Sequence, residues 1–175
     1  MKRASRSREI LTNDFRMSRT LADVSYTTLE ARERIIREVG QAADQIALAL
    51  DYLGDAYEQV DENLGDRLEA QMFGPVQAAY ARARRTRSEF VTRHGLTDRN
   101  GHAEAGGSRP HGAIALIEAA GEAVEQAEQW LAELQDSMLP VEVGDEQLRA
   151  GLAETRGLLA PLPGRAGELV RTLGR

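Results

Sequence analysis

From Ile36 onward, apolar residues recur at Ile36, Val39, Ala43, Ile46, Leu50, Leu53, Tyr57, Val60 and Leu64, in alternating steps of three and four. A strand would alternate with a period of two, so this rhythm predicts a long, coiled-coil-like amphipathic helix. Upstream, Thr27-Thr28-Leu29-Glu30 fits a capping box, in which Thr27 accepts from the Glu30 amide and Glu30 reaches back. Helical signals therefore begin within 18–28, and a helix over 27–64 would be roughly 57 Å long.

After Leu64 the steps lengthen to four (Leu68, Met72, Val76), and two features can interrupt the helix. Asn63-Leu64-Gly65-Asp66 offers a glycine cap followed by a new N-cap. Phe73-Gly74-Pro75 offers either a turn or a kink at the proline. The expectation is a bend or short break at 64–75 and a second helix running to His94. Residues 95–112 are rich in glycine and turn formers, and they are long for a bundle connection, so they are expected to form a flexible loop.

A further seam over 113–137 runs through Ile114, Ile117, Gly121, Val124, Leu131, Leu134 and Met138. Its Ala119-Ala120-Gly121 step would let a neighbouring helix come close. A last helix starts at Asp145 with Leu148, Leu152 and Leu159 inward. Pro161-Leu162-Pro163-Gly164 ends it, leaving an amphipathic tail (Leu169, Val170, Leu173). Nothing reads as a strand. The fold class expected is all-α: an up-and-down bundle of three to four helices with one unusually long member. A mobile basic arm at 1–17 would precede a single domain over 18–175.

Composition sharpens this picture. The chain has 175 residues, 42% of them hydrophobic and only 5% aromatic, so its core must be aliphatic. The absence of cysteine excludes disulfide scaffolds, cysteine-ligated zinc, iron–sulfur clusters and thiol nucleophiles, and fits a reducing cytoplasm. Apolar runs such as Ile46–Leu50 and Ala113–Ile117 fall far short of the roughly 18–20 residues of a membrane span. No apolar stretch follows the basic start Met1-Lys2-Arg3-Ala4-Ser5-Arg6 as a secretory signal requires. The expected location is cytoplasmic.

Net charge is −6, but it is sorted by segment. Residues 1–20 and 82–93 are each net +4, whereas 38–66 and 113–148 carry acidic groups and no lysine or arginine. Asp44, Asp51, Asp55, Glu58 and Glu62 would form an acidic stripe beside the long seam. Its plain reading is a solvated face; its sharper one is a surface for a basic partner or a divalent cation. Arg82, Arg84, Arg85, Arg87 and Arg93 cluster on the second helix. If that helix folds back on the next, they would oppose Glu118, Glu122 and Glu125 and set the register, as edge charges do in coiled coils. Arg87 is the member expected to be partly buried.

Catalytic chemistry is not legible. His94, His102 and His111 share or border one loop, with Asp98 and Glu104 as further donors, but no rigid support is predicted for a metal there. A di-iron bundle needs Glu-x-x-His, and Val91, Arg99 and Ser108 occupy the glutamate positions. No phosphate-binding loop, dinucleotide turn or nucleophile elbow occurs. The chain is expected to be no enzyme, with no cofactor and no metal. The leading reading is a cytoplasmic helical interaction module that forms a homodimer through its seam and meets a protein partner through charged faces. One alternative is nucleic-acid or phosphate binding through the arm and the Arg82–Arg93 cluster, which the overall acidity and scarce aromatics disfavour. Another is an elongated dimer lying on anionic membrane, which the acidic body opposes.

Overall fold

The computed structural model describes residues 6–97 and 109–174, with side chains from Thr28 onward. The helices are α1 (Arg6–Tyr57), α2 (Glu62–Leu68), α3 (Gly74–His94), α4 (Ala113–Asp136), α5 (Leu139–Glu142), α6 (Glu146–Leu159) and α7 (Leu162–Leu173), with a π-helical turn at Glu69–Phe73. No strand occurs among the described residues. The helix expected to start within 18–28 starts at Arg6. The capping-box residues Thr27–Glu30 lie in its interior, as does the 6–17 part of the expected arm. Residues 1–5 of the arm and 98–108 of the loop lie outside the described residues.

Within α1 the fully buried positions are Ile35, Val39, Ala42, Ile46, Ala49, Leu53 and Ala56. Their steps are again four and three; Val39, Ile46 and Leu53 are the expected seam, and the other column of the buried face is rotated by one residue, to Ile35, Ala42, Ala49 and Ala56. Ile36 and Ala43 remain buried at its margin, Leu50 is half-buried, and Tyr57 is exposed. The rotation follows from what α1 meets. Its most extensive packing is with α4, whose buried residues include Ala120, Ala123 and Ala127. An alanine column at 42, 49 and 56 suits close approach to that small-residue face, and the larger Val39, Ile46 and Leu53 fill the layers between.

The chain breaks at 58–61, not at 64–75. Gln59 closes a tight turn by donating its amide to the Ala56 carbonyl at 3.0 Å. Asp61 then caps α2, accepting from the Leu64 amide at 3.0 Å. A Cβ on Gly65 would stand 3.1 Å from the Tyr57 ring, so the exposed ring lies closely over the glycine. From Glu62 to His94 the backbone stays helical. At Gly74 the amide bonds to the Glu69 carbonyl, five residues back, which is a π turn. Pro75 has no N–H to offer Gln71, and the Gln71 carbonyl instead accepts from Arg165 of α7 at 3.4 Å. Gly74-Pro75 thus sits at a change of hydrogen-bond register within continuous helix.

The long pieces form a ring of four rods: α1, α3, the α6–α7 pair and α4. Arg87 of α3 reaches the Ile36 carbonyl, while the turn after Tyr57 joins the other end, so α3 is antiparallel to α1. Arg109, just before α4, pairs with Asp55 near the end of α1, so α4 is antiparallel to α1 as well. Consequently α3 and α4 lie diagonally and run in the same direction. This departs from the expected up-and-down order, in which consecutive helices reverse. The 95–112 connection has to return roughly 30 Å along the bundle. About nine extended residues would reach that far, and eighteen separate the two helices.

The α4 helix matches the expected 113–137 span to within a residue, but Ile114 and Met138, both placed in its seam, are exposed. Leu148, Leu152 and Leu159 are buried as expected, and Leu169 of α7 joins them. Where α6 crosses α3, a Cβ on Gly151 would stand 2.3 Å from Thr86 Oγ1 and 2.6 Å from its Cγ2. Gly151→Ala should therefore destabilise the fold by about 1–3 kcal/mol through overpacking. Adding Thr86→Ala, which removes both atoms, should recover part of that loss in a denaturant-unfolding double-mutant cycle.

Candidate interaction surface

The α3–α6 contact carries the best-organised polar group in the molecule. Asp145 ends the turn before α6 and caps it, its Oδ1 accepting from the Leu148 amide at 2.8 Å. Arg93 donates to both oxygens of the same carboxylate, Nε to Oδ2 at 3.0 Å and Nη2 to Oδ1 at 2.9 Å. His94 Nε2 lies 2.9 Å from Oδ2, and the imidazole leans on the Phe90 ring. The carboxylate's side chain is only 6% exposed. Burial alone would raise its pKa, but the Leu148 amide, His94 and Arg93 outweigh that and hold it below the ordinary carboxylate value. This joint fixes the C-terminus of α3 against the N-terminus of α6. Beside it lies a shallow groove lined by Ser88, Glu89, Thr92, Arg93 and Gln147.

The expected pairing of the arginines with α4 is overturned. Arg82 meets Glu154 of α6, its Nε 2.6 Å from the carboxylate but not aligned as a hydrogen bond. Arg87 donates to the Ile36 carbonyl of α1 at 3.2 Å and is half-buried, as expected of it. Arg84 stacks over Tyr80 on its own helix, 5.7 Å from the ring centre. Arg93 serves Asp145, and Arg85 is exposed. The reason is topological. Parallel, diagonal α3 and α4 cannot bring Arg82–Arg93 opposite Glu118, Glu122 and Glu125, because α6 is the neighbour of α3. Sequence reading identified Asp145 as a helix start but did not connect it with Arg93 and His94. Its capping position before Leu148 was the available signal.

On α4, Ile114, Glu118, Glu122, Glu125, Gln129, Glu133 and Asp136 are all exposed and follow each other in steps of three and four. They form one solvent-facing line, richer in carboxylates than the three glutamates singled out from sequence. The acidic stripe of α1 is shorter than expected. Asp44, Asp51 and Asp55 share the helix, but Glu58 falls in the turn and Glu62 in α2. Asp55 pairs with Arg109 at 2.7 Å. Of the histidines, His94 is committed to Asp145 and His111 is exposed. His102, Asp98 and Glu104 lie outside the described residues. Among the described residues no cluster of three or more histidine or carboxylate groups could hold a metal ion.

At the end of the bundle shared by the C-terminal ends of α3 and α4, Leu29, Met138 and Val141 are exposed. Met138 has φ +65°, a left-handed conformation that a side chain other than glycine adopts at some cost. Among the described residues no helix is long and apolar enough to cross a membrane. The chain matches no protein-family model, no curated protein and no solved structure.

Asp145→Ala should cost about 2–3 kcal/mol, since it removes a cap and strands a partly buried arginine. Arg85→Ala should change stability by less than about 0.5 kcal/mol. The pH dependence follows from the lowered pKa. The Asp145 contribution is complete above the ordinary carboxylate value and is lost as pH falls through the folded one. Urea titrations between about pH 5 and about pH 2 should show the wild type losing its margin over Asp145→Asn.

Proposed function

We propose that the chain is a non-enzymatic helical interaction module that associates with itself and presents charged helix faces to a protein partner. The observation that carries this reading is the length of α1. Its 52 residues extend about 78 Å, whereas the 24 residues of α4 and the 21 of α3 extend about 36 Å and 32 Å. The longest continuous helical stretch elsewhere among the described residues, 62–94, extends about 50 Å, so α1 outruns it by about 28 Å. A long helix in water draws most of its stability from packing, so a rod that outruns its bundle calls for another molecule. The carboxylate line on α4 and the exposed Arg84 and Arg85 are the faces left for a partner. Commitment of Arg82, Arg87 and Arg93 within the chain counts against the phosphate-binding alternative.

Sedimentation equilibrium of the full chain over a wide concentration range tests the proposal. A species of twice 19.2 kDa is expected. A single 19.2 kDa species at the highest concentration would overturn it.

A further inference from the structure

Accepting the self-association just proposed, on which this rests, we infer its form: the turn at 58–61 is a hinge through which two copies exchange α1. In the exchanged dimer, α1 of each copy packs on α3 and α4 of the other. The first observation is the phase of the chain across the turn. Leu53 and Leu64, buried on either side of it, are eleven residues apart, close to three full turns of helix. A straight helix through 58–61 would keep both on one face, with Tyr57 and Val60 between them on that face. Because the backbone is helical again from 62 to 94, straightening the turn makes one rod of 6–94.

The second observation is the make-up of the turn. Neither glycine nor proline stands between Gly54 and Gly65, and Glu58 and Gln59 are good helix formers. The Glu58 amide still bonds to the Gly54 carbonyl at 3.4 Å, its helical partner four residues back. The turn is held by the Asp61 cap on α2 and by the Gln59 amide on the Ala56 carbonyl, both of which a straight helix replaces with its own bonds. The third observation is what the turn leaves out of the core. Tyr57 is 47% exposed and Val60 half-buried, although both continue the apolar rhythm. In the exchanged dimer the two-fold axis passes between the straightened hinges, where Tyr57 and Val60 of one copy meet those of the other. Every contact of α1 with its bundle is made again between copies, including Arg87 on the Ile36 carbonyl and Arg109 on Asp55. The interface is therefore the whole buried face of α1 and needs no new surface. Exchange is isologous and closes, and a short turn of this kind invites it.

The chain has no cysteine, so the full-length double variant Arg37→Cys with Ser88→Cys can be spin-labelled at two exposed positions. Each lies one residue from the Ile36–Arg87 contact. The labelled chain is co-refolded with a large excess of unlabelled wild type and measured where the wild type is dimeric. If α1 folds back on its own α3, the two labels lie within about 25 Å. Exchange instead predicts about 76 Å, because both labels then sit on one straight helix. Inserting two glycines after Gln59 lengthens the hinge and interrupts the straight helix. It should keep the wild-type circular dichroism while weakening dimerisation at least about tenfold. Asp61→Ala, which removes the cap that holds the turn, should strengthen dimerisation about fivefold. A short distance in the diluted dimer, or unchanged dimerisation in both hinge variants, would overturn exchange while leaving self-association standing. A monomeric wild type would remove both.

Discussion

Close packing of α1 on α4 is the constraint from which the rest of the structure follows. An alanine column on one helix and the buried alanines of the other can be buried only if the two axes come close, and closeness requires matched registers. Antiparallel alignment with Arg109 beside Asp55 satisfies this. Because α3 already returns antiparallel along another side of α1, α4 must start where α3 also started. The chain then has to travel back between them, and the 95–112 segment is the consequence. Any connection there must span the bundle, although about half of its eighteen residues would reach.

That topology also decides which charges meet. Exposed ion pairs contribute only about 0.2–1 kcal/mol each, too little to overrule the fit of an apolar face. Arg82 therefore pairs with whichever carboxylate α6 carries past it, and the α4 glutamates are left in solvent. The buried Asp145 joint differs in kind. One carboxylate receives an amide, a bidentate guanidinium and an imidazole, and together they overcome the penalty of its burial. It fixes the α3–α6 register from the end, and the fit of Gly151 against Thr86 fixes it from the middle.

How much of this was legible in the sequence depends on the range of the determining interaction. Helix content, the spans of α4 and α6, the inward leucines of α6 and the cap at Asp145 rest on local spacing, and local spacing is printed in the chain. Val39, Ile46 and Leu53 of the α1 seam are buried as the spacing predicts, but the column beside them was missed by one residue. Two overlapping columns, one headed by Ile36 and one by Ile35, are both apolar, and only the small face of α4 chooses between them. The break at 58–61 was missed because Tyr57, Val60 and Leu64 continue the rhythm across a turn that Asp61 closes by capping α2. The partners of the arginines were missed for a different reason. Their assignment needed the direction of α4, which no local pattern encodes.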